Sequence, residues 1–487
     1  MMRPLIAALA LVIIAGLNLR AEPATAGGPP DVQATFVETG FGHTCAVTTD
    51  GSVQCWGDNN SGQLGDGTET DRPTATPVVG LDPPAKIVAL GDSHTCAQSA
   101  TGAVSCWGYN GEGELGDDTG VDSPIPVDVI GLDSGVSDLA SGELHTCAVL
   151  SGPVQCWGFN GSGQLGSGTD NDAFAPVTVA NLNNAVQIDG GEDDFTCAVT
   201  ASAAAKCWGN NADGRVGDGT TENRQVPVQV SGLGSGVDTV SAGGNHDCAM
   251  MANHSVRCWS SNFQGQLGIG TEDAGSLVPV EVHDMDDAVE ITTGAFHSCA
   301  LTTQRNVYCW GGNANGQLGD GTNFNRSEPV AVKNQTEVVH IAGGYYHTCA
   351  VREDGSVWCW GGNQSGQLGD GTLNASNIPI RVTLAAPAGD SRTWGDHNCS
   401  GDADPVDSLL TLRFDAGLST NTGDCPGMGV VVDVASASPH PWGDIDCAGD
   451  VNPVDSLKLL RYDGGLNVAQ EPDCPAVGTA VTITLPG

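Results

Sequence analysis

Residues 343–372 read GGYYHTCAVREDGSVWCWGGNQSGQLGDGT. Cys349 and Cys359 flank the turn signal Glu353-Asp354-Gly355, and apolar and polar residues roughly alternate on either side, the pattern of a β-hairpin. The same pair recurs as Cys45 and Cys55, Cys96 and Cys106, Cys147 and Cys156, Cys197 and Cys207, Cys248 and Cys258, Cys299 and Cys309, which makes seven hairpins spaced 50 or 51 residues apart. In the third pair the cysteines are nine apart rather than ten, and the turn, Ser151-Gly152, is one residue shorter. That deletion keeps the two sulfurs opposite each other, which points to a bond between them. Opposed strand residues lie within about 5.5 Å at Cα, inside disulfide range. Seven intra-hairpin disulfides are predicted, each contributing roughly 2 to 3 kcal/mol by closing a short loop. Zinc binding is the rival, since His347 stands beside Cys349, but the spacing fits no zinc-site pattern.

A short apolar strand precedes each hairpin, at residues 34–38, 87–90, 136–139, 186–188, 237–240, 289–291 and 338–341. A glycine-rich loop follows, as in residues 59–68, and then a Pro-Val or Pro-Ile strand, as at 77–79, 126–129, 227–230, 329–332 and 379–382. Four strands per period, seven times over, predict an all-β chain folded as a seven-bladed β-propeller. A linear solenoid would carry capping repeats at its ends, whereas the first and last copies here are among the best preserved. Residues 378–382 are expected to close the ring by completing the blade begun at 34–38.

The recurring pattern HTCAV, DGSVxCWG, NxxGQLGDGT resembles the regulator of chromosome condensation repeat, in its exported, disulfide-bearing bacterial form, over residues 34–384. The resemblance implies a seven-bladed propeller. It leaves function open, because that family includes a guanine-nucleotide exchange factor, β-lactamase inhibitors and interaction scaffolds.

Several repeated residues invite a functional reading. His43, His94, His145, His246, His297 and His347 each stand two residues before a first cysteine, with Phe195 in the fourth copy. Packed sheets are about 10 Å apart while metal ligands lie near 2 Å, so these imidazoles read as structural groups satisfying backbone at the blade corner. Trp56, Trp107, Trp157, Trp208, Trp259, Trp310 and Trp360 could stack on sugars, but packing between blades is the favoured role. Asp66 of the GQLGDGT loop becomes Ser167 and Ile269 in other copies, which favours a structural turn over a phosphate or calcium site. Repeats four to six depart from the pattern at Ala203, His254, Arg305 and Ser260, and drift is preferred over a binding face.

The chain holds 17 Lys and Arg against 58 Asp and Glu, a formal charge of −41 that would repel nucleic acid and anionic lipid. Residues 1–26 read as a signal peptide, with Arg3, an apolar run at 5–17 and a small-residue cleavage site at Ala24-Thr25-Ala26. No segment is long and apolar enough to span a membrane. Export and the even count of 18 cysteines agree, since disulfides persist in oxidising compartments. The organisation expected is a signal peptide at 1–26, a propeller at 31–384, a linker at 385–393, a second domain at 394–478 and a tail at 479–487.

That second domain is a duplication, WGDHNCSGDADPVDSLLTLRFDAGL at 394–418 and WGDIDCAGDVNPVDSLKLLRYDGGL at 442–466. Oxygen donors fall at positions 1, 3, 9 and 12 of each loop with glycine at 6, the EF-hand pattern for calcium. The ligands are Asp396, Asn398, Ser400, the carbonyl of Asp402, Asp404 and Asp407 in the first loop, and Asp444, Asp446, the carbonyl of Asp450, Asn452 and Asp455 in the second, where Ala448 leaves the fifth position empty. Leucines at helical spacing follow each loop. The duplication resembles a type I dockerin, a small α-helical calcium module of extracellular cellulose-degrading assemblies. The resemblance implies a cohesin-like partner, and Pro405-Val406 and Pro453-Val454, which stand where many dockerins present Ser-Thr, leave open whether a standard cohesin is bound. Cys399 with Cys425 and Cys447 with Cys474 would use up the remaining cysteines; pairing across the halves stays open.

No catalytic triad, HExxH or paired-carboxylate motif stands out, and no catalytic residue is assigned. The sequence therefore reads as a secreted, non-catalytic propeller that binds a protein or ligand, with a calcium-dependent dockerin-like tether. A carbohydrate-active or carbohydrate-binding part of an extracellular polysaccharide-degrading complex is the alternative. Nucleotide exchange comes last, because it conflicts with export and disulfides.

Overall fold

The computed structural model of the chain describes residues 32–82 and 84–385, and beyond them the backbone of four short strands. In the first repeat β1 (Ala34–Thr39), β2 (His43–Thr48), β3 (Val53–Gly57) and β4 (Arg72–Pro77) form one antiparallel sheet in chain order. Each of the next six repeats builds its own four-stranded sheet in the same order. Residues from all seven first strands, among them Phe36, Ile87, Leu139, Ile188, Val240, Ile291 and Ile341, line a single central channel. The seven sheets are thus the blades of a propeller, and no helix among the described residues is long and apolar enough to cross a membrane.

The cysteines are directly opposed in every hairpin, as Cys45 and Cys55 are, and all seven disulfides form with Cα atoms 4.0 or 4.1 Å apart. The short third hairpin keeps Cys147 opposite Cys156 by placing Ser151 and Gly152 at φ of 52° and 129°. In the longer turns the corresponding glycines, such as Gly51 and Gly355, take φ of 82° and 75°. Ala203, His254 and Arg305 hold the same left-handed conformation, at 58°, 69° and 61°, although a Cβ there costs roughly 1 kcal/mol or more.

Two expectations need correction. The fourth strands begin earlier than the Pro-Val pairs, at Arg72, Ser123, Arg224, Arg326 and Ser376 in blades one, two, four, six and seven, because a bulge between Cys55 and Gly57 and its equivalents carries the pairing back to Gly57 and Arg72. Nor do residues 378–382 complete the first blade. Ser376–Arg381 is the outer strand of the seventh blade, and with seven complete repeats no strand is left over to share. Blades seven and one instead meet as any neighbours do: Trp56 Nε1 donates to Gln367 O at 2.9 Å, as Trp107 Nε1 does to Gln63 O at 2.9 Å.

The core lies between blades. Each apolar cluster joins the disulfide of one blade to the tryptophan of the next, as Cys45, Cys55, Val47, Val53 and Leu64 pack with Trp107. Seven such clusters close the circle, the last joining Cys349 and Cys359 to Trp56. All seven tryptophans are fully buried, each removing about 200 Å² from water and so contributing about 5 kcal/mol of transfer free energy.

Beyond the propeller, Asp390–Thr393, Ala480–Thr484, Val431–Val434 and His440–Pro441 pair in that order as a small sheet. The stretches read as linker and tail each therefore hold a strand. The eleven calcium residues read in the dockerin-like domain, and Cys399, Cys425, Cys447 and Cys474, lie outside the described residues.

Candidate functional site

Most of the repeated polar groups are consumed in assembling the ring. His43 Nε2 meets Thr95 Oγ1 of the next blade at 2.9 Å, and His94, His145, His246, His297 and His347 make the same bond to Thr146, Thr196, Ser298, Thr348 and Thr44. The imidazoles thus serve hydroxyls across the blade joint rather than backbone at the corner. Burial pushes them down to about 3, or about 4 for His94, so they stay neutral. Each of the seven repeated tryptophans donates its Nε1 to a carbonyl in the glycine-rich loop of the preceding blade. Gly65 and its equivalents are needed there: at φ of 68° a Cβ on Gly65 would stand 2.7 Å from Trp107 Nε1.

One residue type escaped the sequence reading. Asn59, Asn110, Asn160, Asn211, Asn262, Asn313 and Asn363 are fully buried at the root of each glycine-rich loop. Asn59 accepts from Leu64 N and donates to the carbonyls of Thr68 and Thr70, which fixes the loop from inside. Its regular recurrence in NxxGQLGDGT was the available signal.

What is left unspent gathers at one end of the channel. The loops between first and second strands lie there, beside the loops between third and fourth strands, as the bonds Asp58 N to Gly42 O (2.9 Å) and Gly312 N to Phe296 O (2.7 Å) require. Between a constant glycine and the histidine position these inner loops differ in every blade. Blades six, seven and one supply Phe296, Tyr345, Tyr346 and Phe41, whose rings form one cluster: Phe41 to Tyr345 4.5 Å, Tyr345 to Tyr346 4.5 Å, Phe296 to Tyr345 5.9 Å and Phe296 to Tyr346 6.0 Å between centroids. Blades two, three and four supply Asp92, Glu143, Glu192, Asp193 and Asp194.

This acidic arc is electrostatically crowded. Burial and then the charges of Glu143, Asp193 and Asp194 raise Asp92 to about 8; burial and the two aspartates raise Glu143 to about 7. Burial first and Asp193 second raise Asp194 to about 6, while burial and Asp92 hold Glu192 well above the usual carboxylate range. Arg215 stands where five other blades place glutamine; it pairs with Asp193 at 2.7 Å and donates to Gly244 O at 3.1 Å. Glu192 Oε2 is buried and makes no hydrogen bond. The field of the arc reaches across the mouth, since burial and then Tyr346, Glu192, Asp193 and Asp92 raise the Tyr345 phenol.

Deeper in the channel, a cavity of about 320 Å³, His340 stacks on Phe36 with centroids 4.4 Å apart and bonds Glu290 Oε1 at 2.6 Å and Val37 O at 2.9 Å. Burial alone would lower His340, but Glu290 and Glu38 outweigh it and hold the imidazole at about 9. Asp138 and Asp189 line the same cavity with their carboxylates capped by backbone N–H groups of Ile188, and of Gly190 and Ala242, at 2.8 to 3.0 Å. No group of His, Cys, Asp and Glu among the described residues has the geometry to hold a metal ion.

A family model described as RCC1-like domain matches residues 17–288 and again 136–399. The ultraviolet-B receptor UVR8 of Arabidopsis thaliana is 31% identical over 304 residues, 61% of this chain and 69% of that protein. The E3 ubiquitin-protein ligase HERC2 of Homo sapiens is 30% identical over 300 residues, 60% of this chain, which spans 5% of that relative's length. Among solved structures, yeast RCC1 (Prp20) bound to Kap60 is similar with a TM-score of 0.63 at 20% identity, over 76% of this chain and 91% of that one, a likeness of fold.

Proposed function

The chain belongs to the RCC1-like domain family, and on that premise we propose that it is a secreted, non-catalytic scaffold that binds a protein partner at the mouth of its channel. The observation that carries this reading is the division of labour among the repeats. The repeated histidines, tryptophans, asparagines and cysteines are spent on the ring, while the first loops differ in every blade and put aromatic and acidic side chains on one face. Seven disulfides belong to an extracellular or otherwise oxidising environment, which favours secretion and argues against nucleotide exchange in a reducing compartment.

Residues 1–26 act in this reading as a signal peptide, and residues 394–478 as a dockerin-like module that folds around calcium and tethers the propeller to a cohesin-like partner. A second reading, a carbohydrate-binding or carbohydrate-active part of a polysaccharide-degrading complex, draws on the same four aromatic rings, whose faces suit stacking on sugars. Capture from culture supernatant on the immobilised full chain, with and without a calcium chelator, tests the scheme. Calcium-dependent partners should be lost with the chelator, and a calcium-independent partner should be lost in a Tyr345→Ala/Phe296→Ala variant. Retention of every partner by that variant would refute the mouth as the binding face, and polysaccharide hydrolysis by the purified chain, abolished by one acidic substitution, would put the second reading first.

A further inference from the structure

Resting on that reading, we propose that the mouth of the channel receives the side chain of a lysine carried by a partner polypeptide, its ammonium lodged between the aromatic cluster and Glu192. Three independent features converge there. The rings of Phe41, Phe296, Tyr345 and Tyr346 form one wall, and aromatic faces attract cations, the more so when water is excluded. Opposite them stand Asp92, Glu143 and Glu192, close enough to repel one another strongly, with Arg215 turned to Asp193. Two buried oxygens facing the channel lack partners: Glu192 Oε2, and the hydroxyl of Thr39, a residue 6% exposed on the channel wall. Leaving such groups unpaired is unfavourable, and a bound cation with several N–H donors would offset that cost.

The shape argues for an ammonium over a guanidinium. Three pairs meet at steep angles, 59° for Phe41 and Tyr345, 69° for Tyr345 and Tyr346 and 83° for Phe296 and Tyr345. The one near-parallel pair, Phe296 and Tyr346 at 18°, has centroids 6.0 Å apart, too close for a planar group to slide between, so the rings form a corner rather than a slot. A lysine arm is a slender chain with a compact charge, and the channel below offers about 320 Å³. The surroundings argue for a polypeptide carrier. The outer loops of the same face expose Val121, Phe263, Phe324 and Leu373 to between 60% and 74%, apolar contacts that a free amine would not use.

The test is a titration of the intact chain with a Gly-Ser peptide bearing one central lysine, followed by saturation-transfer NMR, beside the same peptide with acetyl-lysine, arginine or glutamate at that position. The lysyl peptide should bind, more tightly as pH rises and the arc ionises, and the acetylated and glutamyl peptides should not. Glu192→Gln should weaken binding at least about tenfold, the loss of a charged hydrogen-bond partner. It should also flatten the pH dependence, while Glu353→Gln on the opposite face changes nothing. All variants must keep their disulfides and melting temperature. Equal binding of the acetylated peptide, tighter binding of the arginyl one, no binding of any peptide, or an unchanged Glu192→Gln overturns the proposal. If the Tyr345→Ala/Phe296→Ala variant still loses its captured partner in those cases, the mouth stands as a binding face and the lysine alone falls.

Discussion

Replacing Asp247 with threonine should stabilise the propeller, and the gain should grow with pH. In five blades the equivalent hydroxyl, on Thr44, Thr95, Thr196, Ser298 or Thr348, donates to a loop carbonyl of the preceding blade at 2.8 to 3.0 Å. Six such hydroxyls, those five and Thr146, meet a histidine. Asp247 faces Phe195 instead and is fully buried, its Oδ2 without a hydrogen bond. Burial holds its pKa well above the usual range, with Arg215 opposing. The unfolded chain releases that proton near pH 4, so between there and the raised native value the native state binds more protons and stability falls as pH climbs. Below pH 4 both states carry the neutral acid, so that penalty is gone and the substitution should gain little.

Near pH 7 the unfolded carboxyl is ionised, so folding must take up a proton or bury the charge, at a cost of about 1.4 kcal/mol for each pH unit above the unfolded value, and Asp247→Thr should gain about 2 to 4 kcal/mol. Denaturant unfolding with disulfides intact, at pH 4, 6 and 8, reads this directly. Adding Phe195→His should couple favourably to Asp247→Thr, since the pair rebuilds the bond found at the other six joints. A variant less stable than its parent at pH 7, or a gain independent of pH, would refute the account of this joint.

Gly319→Ala should cost more than 2 kcal/mol, because its Cβ would stand 2.8 Å from Trp360 Nε1 at a backbone φ of 63°; thermal melting of that variant beside an exposed control, Gly232→Ala, checks it. Thiol labelling of denatured, unreduced protein should find no reactive cysteine in the propeller. Melting of residues 394–487 should shift upward with calcium, and calorimetry should find the first loop tighter than the second, since Ser400 offers an oxygen where Ala448 has none.

The blade count was legible because disulfides are local: cysteine spacing is a distance along one hairpin, and a one-residue deletion moved turn and cysteine together. The histidine and tryptophan partners were not legible, because each lies in another blade, 51 or 52 residues away for His43 to His297 and 43 or 44 residues away for six of the seven repeated tryptophans. Ring closure was misread for the same reason, since pairing of a first with a last strand leaves no mark in either. The mouth was overlooked for the opposite cause. Periodicity marks only positions that repeat, whereas Phe41, Asp92, Glu143 and Tyr345 sit where the repeat lapses between two constant residues. Such gaps are where a side chain is free of the scaffold's demands.

Each blade is one unbroken run of chain with both cysteines in a single hairpin, so oxidation can keep pace with the polypeptide as it emerges. The correct partner of Cys45 is ten residues on, while Cys55 and the next cysteine, Cys96, are 41 residues apart. Loop closure favours the nearer partner by about 1 kcal/mol, and hairpins form within microseconds, before the next cysteine has been made. A ring sealed by a shared strand would hold its first blade incomplete until the last residue arrived; here every sheet is whole once its own fifty or so residues are out. The seam between the last blade and the first is then a joint like the other six, and new termini cut into any linker between blades, with the old ends joined, should leave the same seven disulfides to form.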